Sequence, residues 1–289
     1  MLRVIVKLTS VILFLLNFSQ YSLAAETDLN TPLNFTQMRG THNSYHIRRS
    51  VIYLPGWNYT HPPINIQLND YKINSFELDI HVSYDKDELE VYHIYAFDDK
   101  SNCKKFVACL QQIKKYSDSN PYHKPIFVWL EIKDIAGGRP FDHFELLENN
   151  IKNYLGDRIV IPDKLQGDAA SLKEAIRQSG WPSLKQLLGR IFFILHSTNN
   201  AHAKEYTHNF TSLNGRLMFA KAKSHQRHKP WALFTHAQAQ QIQEIAELKR
   251  RGFIVITTGC LAKMSAEKCE KARVAASKSG ATIIKQDSW

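Results

Sequence analysis

The chain is predicted to fold as an α/β protein, a TIM-type (β/α)8 barrel, regular or irregular. Three observations carry that prediction. Apolar or β-branched runs recur eight times with helix-like or polar stretches between them, an alternation that belongs to parallel sheets. A length of 289 residues with 44% hydrophobic content is enough for one large core. Polar residues punctuate the apolar runs, and in a parallel barrel the carboxyl ends of the strands line the functional mouth. A doubly wound open sheet is the alternative.

The opening segment sets Arg3 and Lys7 before an apolar run from Val11 to Leu16, then places the small residues Ser22 and Ala24 three positions and one position before a cut. That pattern marks residues 1–24 as a secretory signal peptide. Its apolar part is shorter than the roughly 20 residues of a membrane span, and no later stretch qualifies. The mature chain, 25–289, is expected to be a single soluble barrel domain, secreted or periplasmic. Cleavage leaves 35 Lys and Arg against 27 Asp and Glu, a formal charge of +8. Such a balance favours anionic partners, whether phospholipid head groups or nucleic acid, without choosing between them.

The strand candidates in order are Phe35 to Thr41, Ser75 to Val82, Leu89 to Ile94, Ile126 to Lys133, Ile191 to His196, Gly215 to Ala222, Phe253 to Thr257 and Ala281 to Lys285. Helices are expected at Cys103 to Ser117, Arg139 to Tyr154, Ser183 to Leu188 and Thr235 to Arg251. In the last of these Ile242, Ile245 and Leu248 keep a helical spacing and Gly252 closes the helix, while Ser183 is placed to cap the shorter one. The long segment from Ser44 to Asn74, rich in Pro, Tyr and Trp, reads as a lid or rim, and Gly137-Gly138 as a turn. The four cysteines fall into two local pairs, Cys103 with Cys109 and Cys260 with Cys269. Three connectivities are open to them. Proximity and an oxidising compartment favour the two short-loop disulfides over a zinc site.

Side chains alternate along a strand, so Glu77, Asp79 and His81 share one face of the second strand, while Phe76, Leu78 and Ile80 pack on the other. Glu131 and Lys133 likewise share a face of the fourth. Carboxylates pointing into a barrel need partners, because burying them unpaired costs several kcal/mol. Oxygen donors from Asn43, Glu77, Asp79 and Glu131 suit a hard ion such as Ca2+. His42, His81 and His93 around zinc are a competing set. Ion pairs to Lys133 and Arg39 without any metal are a third.

His42 and His93, near the ends of separate strands, are candidates to divide acid and base duties across a phosphate. Lys221 and Lys223 share a strand face and are candidate phosphate contacts, with exposed strand-end lysines as the plainer account. His196 reads as a rim residue at best, and His123, His143, His225, His228 and His236 as surface residues. Asn34-Phe-Thr, Asn58-Tyr-Thr and Asn209-Phe-Thr are glycosylation sequons, meaningful only in a eukaryotic secretory pathway. No Gly-rich nucleotide cradle and no Gly-x-Ser-x-Gly elbow is present, which leaves nucleotide binding and serine esterase chemistry without support.

The order Thr41-His42-Asn43-Ser44-Tyr45, Glu77-Leu78-Asp79, His93 and Glu131-Ile132-Lys133 resembles the phosphoinositide-specific phospholipase C superfamily, most closely its secreted calcium-dependent bacterial-type members. The motif resemblance runs from Phe35 to Lys133 and continues to Asp287 through strand rhythm. It implies that His42 and His93 are catalytic and that Asn43, Glu77, Asp79 and Glu131 bind Ca2+. His81 and Lys133 would be further substrate-side residues, with Lys221 and Lys223 as possible phosphate contacts. The implied reaction cleaves phosphatidylinositol or a related anionic phospholipid at a membrane surface, and nucleic acid is not an implied partner. The aromatics Tyr53, Trp57 and Tyr59 either dip into the lipid interface or pack the long loop onto the barrel. A glycerophosphodiester phosphodiesterase and a non-catalytic secreted lipid-binding protein are the rival readings. In the former an arginine usually follows the first histidine, where this chain has Asn43.

Overall fold

The computed structural model describes residues 28–51, 53–83, 88–133, 141–196 and 199–289. Residues 1–24, expected to be a signal peptide, and Gly137-Gly138 lie outside the described residues. Nine strands are present among those described: β1 Met38–Thr41, β2 Ser75–Val82, β3 Leu89–Val91, β4 Ile126–Ile132, β5 Ile191–His196, β6 Phe219–Ala222, β7 Phe234–His236, β8 Ile254–Thr258 and β9 Ile283–Gln286. Eight of them pair in parallel in the order β1, β9, β8, β7, β6, β5, β4, β2, and β1 pairs with β2 to close the ring. This is the TIM-type barrel. The helices are α1 Ile64–Asn69, α2 Phe106–Ser119, α3 Phe144–Leu155, α4 Pro162–Gln166, α5 Leu172–Ser179, α6 Asn200–Tyr206, α7 Ile242–Arg250 and α8 Ala266–Lys278.

The count of eight barrel strands is right, but two of the assignments behind it are not. β3 runs antiparallel to β2, with Val82 opposite Leu89 and Ile80 opposite Val91, so it is a hairpin standing on the mouth. The eighth barrel strand is β7, inside the segment expected to be helical from Thr235. The run Trp231-Ala-Leu-Phe-Thr-His leads into an amphipathic helix after only five residues, and a three-residue strand has no period of its own to detect. The predicted helix at Ser183 is a single 3-10 turn, Lys185–Leu187, and Ser183 bonds Gln186 without capping it. α8 escaped notice because only Ala276 is buried along it.

The core alternates as the strands do. Inside the barrel, Phe127, Phe192, Phe219 and Phe234 form an aromatic floor, with successive centroids 5.0, 5.8 and 5.0 Å apart, and Trp129 lies edge-on to Phe234 at 5.9 Å. The Trp129 indole donates to Ser75 Oγ at 2.9 Å. Gly40 lies beside that serine because a Cβ there would come within 2.9 Å of the Ser75 Cβ. The outward residues Phe76, Leu78, Ile80, Val128 and Leu130 are fully buried under the helices. Two disulfides, Cys103–Cys109 and Cys260–Cys269, fasten the loops before α2 and α8. Among the described residues no helix is long and apolar enough to cross a membrane.

Candidate active site

Parallel register carries the aromatic floor upward into a polar ring. Glu77 pairs with Trp129 and Asp79 with Glu131 across β2 and β4. Glu131 in turn pairs with His196 across β4 and β5. Asp79, Glu131 and His196 therefore stand in one row on three adjacent strands. Each inward strand face reads aromatic or apolar below and polar at the carboxyl end: Phe127-x-Trp129-x-Glu131, Phe192-x-Ile194-x-His196, Phe219-x-Lys221 and Phe234-x-His236.

His42 follows β1, and its backbone N–H still bonds Gln286 O at 3.1 Å. Its Nδ1 donates to Asp287 Oδ1 at 2.8 Å, and Asp287 Oδ2 accepts from the Ala262 N–H at 2.6 Å. Burial works against the charged ring, but Glu77 and the Asp287 bond outweigh it, and the His42 pKa lies above its ordinary value. Next in the chain, Asn43 takes a φ of 42°, a left-handed conformation that asparagine tolerates. Ser44 Oγ accepts from Thr41 Oγ1 at 2.7 Å and from the Glu77 N–H at 2.8 Å, so the loop is bolted to β2.

The carboxylates are held by cations. Glu77 is 2.6 Å from Lys285 Nζ and 3.4 Å from His196 Nδ1. Burial opposes its charge, yet Lys285 and His42 prevail, and its pKa falls well below the carboxylate range. Lys133 Nζ reaches Glu131 at 2.6 Å and Asp79 at 2.9 Å. Burial disfavours charge on both partners here. The Lys133 pKa nevertheless rises, because Asp79 and Glu131 outweigh burial, and that of Glu131 falls. Asp79 differs: neither of its buried oxygens makes a hydrogen bond of proper geometry, and burial pushes its pKa up to about 6 despite Lys133. Glu77, Glu131 and His196 each place a ligand atom within 4.8 Å of the others. Arg39, expected among these ion pairs, is instead exposed and stacks 5.1 Å from the Trp289 ring.

The far side of the ring is cationic. His196 is 9% exposed and its Nε2 is in short contact with Lys221 Nζ, so it is a buried member of the site and not a rim residue. Burial and Lys285 pull the Lys221 pKa down to about 8, and burial and Lys221 lower that of His236 to about 4. His236 thus belongs to the mouth. His123 is also not a surface residue: it is 6% exposed and bonded to Ser117 Oγ at 2.8 Å. Lys221 and Lys223 meet different partners, Lys221 Nζ the His196 ring and Lys223 Nζ the Asn200 Oδ1 at 2.7 Å.

His93 lies just beyond β3, outside the ring. Its Nδ1 bonds Asp98 Oδ2 at 2.8 Å, and Asp98 also meets His46 Nε2 at 2.9 Å. His81 Nε2 bonds the Tyr92 carbonyl at 2.9 Å, and the two rings stack 3.8 Å apart. The candidate zinc histidines His42, His81 and His93 therefore turn to three separate partners. Around His93 the two mouth loops form an exposed apolar rim: Val51, Tyr53, Leu54, Tyr95 and Phe97 are all more than half exposed. Tyr53 lies edge-on to Phe97 at 6.0 Å, and Trp57 edge-on to His93 at 6.0 Å. Tyr59 packs inward, stacked on His46 at 4.3 Å. Of the sequons, Asn34 is buried with its amide donating to Lys249 O at 2.8 Å, whereas Asn58 and Asn209 are exposed.

Sequence reasoning missed Asp287, Asp98, His46 and Lys285. Asp287 directly follows β9 and Asp98 lies with Asp99 in the loop after β3, neither in a recognisable motif. Lys285 sits at the inward parity of β9 and was legible there. The same parity, an aromatic two or four residues before a polar residue, marks His196 and His236.

A family model described as phosphoinositide phospholipase C, Ca2+-dependent, matches residues 82–288. That span includes His93, Asp98, Glu131 and Asp287. Among solved structures, a Ca2+-dependent phosphatidylinositol-specific phospholipase C from Streptomyces antibioticus is similar over 89% of this chain and 95% of its own, with a TM-score of 0.65 at 21% identity. A calcium-dependent phosphoinositol-specific phospholipase C from a Gram-negative Pseudomonas species, solved as a myo-inositol complex, is similar over 89% of this chain and 90% of its own, with a TM-score of 0.66 at 15% identity. A phosphatidylinositol-specific phospholipase C from Staphylococcus aureus is similar over 91% of each chain, with a TM-score of 0.52 at 13% identity. No curated protein matches. At these identities the solved structures speak for the fold.

Proposed function

The chain belongs to the calcium-dependent phosphoinositide phospholipase C family, and on that premise we propose that the barrel mouth cleaves phosphatidylinositol-type lipids to diacylglycerol and a cyclic inositol phosphate. One arrangement carries the reading: an aspartate-backed imidazole, His42, beside carboxylates of adjacent strands at the carboxyl end of a barrel.

Those carboxylates fit a hard divalent cation. Asp79 is a buried carboxylate paired only with Lys133 and without a hydrogen bond of proper geometry, and beside it Glu77 and Glu131 place ligand atoms within 4.8 Å of each other and of His196, an oxygen-rich set that suits Ca2+. Asn43, Glu77, Asp79 and Glu131 would hold it. Calcium bound there supplies charge neutralisation at the phosphoryl oxygens and acidifies the inositol 2-hydroxyl. The remaining work falls to the chain. Asp287 holds the Nδ1 proton of His42, so His42 meets the phosphoryl oxygens through Nε2 and stabilises their developing charge. A carboxylate of the row accepts the 2-hydroxyl proton, and His93 protonates the departing diacylglycerol oxygen. Lys133 serves by holding Asp79 and Glu131 in place, and His81 by stacking under Tyr92. Lys221, backed by His196 and His236, meets an anionic or hydroxyl group of the head group, with Lys223 at its edge.

The partner surface is an anionic phospholipid bilayer, met by the Tyr53 and Phe97 rim next to His93. Export, with removal of residues 1–24, is in keeping with two disulfides. Phosphorus NMR of phosphatidylinositol vesicles incubated with the mature protein tests the proposal. A cyclic inositol phosphate that appears with calcium and not with chelator is the expected result. Alcohol release from glycerophosphodiesters with no cyclic product would overturn it, and so would restoration by zinc but not calcium.

A further inference from the structure

Asp98 is 1% exposed and stands between two histidines. Its Oδ2 lies 2.8 Å from His93 Nδ1, and its Oδ1 and Oδ2 lie 2.9 and 3.0 Å from His46 Nε2. The other nitrogen of His46, Nδ1, is 2.9 Å from the Tyr59 carbonyl oxygen. A carbonyl and an ionised carboxylate can only accept, so both nitrogens of this fully buried ring donate. Asp98 is thus gripped from behind by the Nε2 proton of a ring whose Nδ1 proton is anchored on the Tyr59 carbonyl. Toward the mouth, the same carboxylate can only accept from His93 Nδ1, which leaves Nε2 as the nitrogen open to a reacting group. The grip extends further, because the His46 N–H donates to Asn43 O at 2.9 Å and the Tyr59 ring stacks on His46 at 4.3 Å. A short turn therefore carries both the His42-Asn43 pair and the clamp on His93.

We propose that Asp98 is a positioning residue for His93, and that the bridge His46–Asp98–His93 fixes which nitrogen of His93 faces the substrate and ties that ring to the segment carrying His42 and Asn43. Its kinetic consequence rests on the reading that His93 protonates the leaving oxygen. The proton His93 gives up is then the one on Nε2, while the Nδ1 proton stays on the ring, hydrogen-bonded to Asp98, throughout. A buried carboxylate that cannot move also prevents the ring from flipping between turnovers. His93 needs such a device more than His42 does, since it stands on a hairpin outside the barrel wall, a quarter exposed.

Two measurements on the mature protein test this. Nitrogen-15 NMR of labelled histidines is expected to show the neutral His93 ring with the proton on Nδ1; a proton on Nε2 overturns the bridge. This readout needs no variant, so it survives if Asp98→Asn fails to fold. In kinetics, Asp98→Asn is expected to lower kcat on phosphatidylinositol by about 100-fold or more with KM unchanged, and to regain most of that loss on an inositol phosphodiester with a nitrophenyl leaving group. If His93→Ala is slow on the lipid and Asp98→Asn is not, the positioning role is wrong. If His93→Ala is not slow, the acid assignment fails, and the tautomer alone decides for or against the bridge.

Discussion

Asp79→Asn is expected to stabilise the protein in chelator while abolishing its response to calcium. Burial pushes the Asp79 pKa from 3.8 to about 6 even though Lys133 lies 2.9 Å away. At 1.36 kcal/mol per pKa unit, keeping that carboxylate ionised above pH 7 costs about 3 kcal/mol. The sign follows from the direction. A raised pKa gives a contribution that is fully present below the unfolded value of 3.8 and is lost as pH rises through about 6. Asparagine keeps the shape, carries no charge to desolvate, and leaves Lys133 its bond to Glu131 at 2.6 Å. The variant should therefore exceed the parent by about 1–3 kcal/mol at pH 8 in chelator, with the difference shrinking toward zero near pH 4. Denaturant unfolding at pH 4, 6 and 8 measures it, and a repeat in millimolar calcium should raise the midpoint of the parent alone. A variant less stable than its parent at pH 8 in chelator refutes the reasoning, because desolvation would then not govern Asp79.

Two further predictions concern the mouth. Asp287→Asn should lower kcat by about 100-fold or more, with KM nearly unchanged, because His42 loses the acceptor 2.8 Å from Nδ1 that selects its tautomer; steady-state kinetics on a soluble inositol phosphodiester reads this without the membrane. Tyr53→Ser with Phe97→Ser should weaken binding to phosphatidylinositol vesicles by about 30-fold, from roughly 1 kcal/mol lost per half-exposed ring. Turnover of the soluble substrate should stay the same, and a sedimentation assay showing undiminished vesicle binding would remove the rim from the argument.

How much of this was legible depended on whether a residue announced itself through a period. β2 and β5 were bounded to the residue, Ser75–Val82 and Ile191–His196, because eight and six apolar or alternating positions leave little freedom. The inward parity of Glu77, Asp79 and Glu131 followed from the same alternation. β7 has three residues and no such redundancy, and β3 is a strand whose partner direction no local pattern encodes. The polar partners were hidden for another reason. Asp287 reaches His42 across 245 positions of sequence and Lys285 reaches Glu77 across 208, a proximity created only when β9 closes the ring against β1. The motif part of the family resemblance stopped at Lys133, and the cationic half of the mouth, His196, Lys221, His236 and Lys285, lies beyond it, where only strand rhythm continued.

That division of the ring into an acidic and a cationic half has a consequence for how the mouth is held together. Three buried or half-buried carboxylates, Glu77, Asp79 and Glu131, share two lysines, Lys133 and Lys285. His196 contributes little positive charge, because burial and Lys221 both lower its pKa. The pKa directions show which carboxylate of the row is least satisfied: Glu77 and Glu131 are held down while Asp79 is pushed up. A cation entering the row would meet its least satisfied oxygens at Asp79, and only then compete with Lys133 for Glu131. Lys133 is the residue best placed to set how tightly the row takes a metal, since it alone bonds the carboxylate that needs a partner and the one beside it. Lengthening the grip on Glu131 at the expense of Asp79 favours the ion, and strengthening the grip on Asp79 opposes it. The same lysine that keeps the carboxylates from destabilising the barrel thus works against the cation they are arranged to receive.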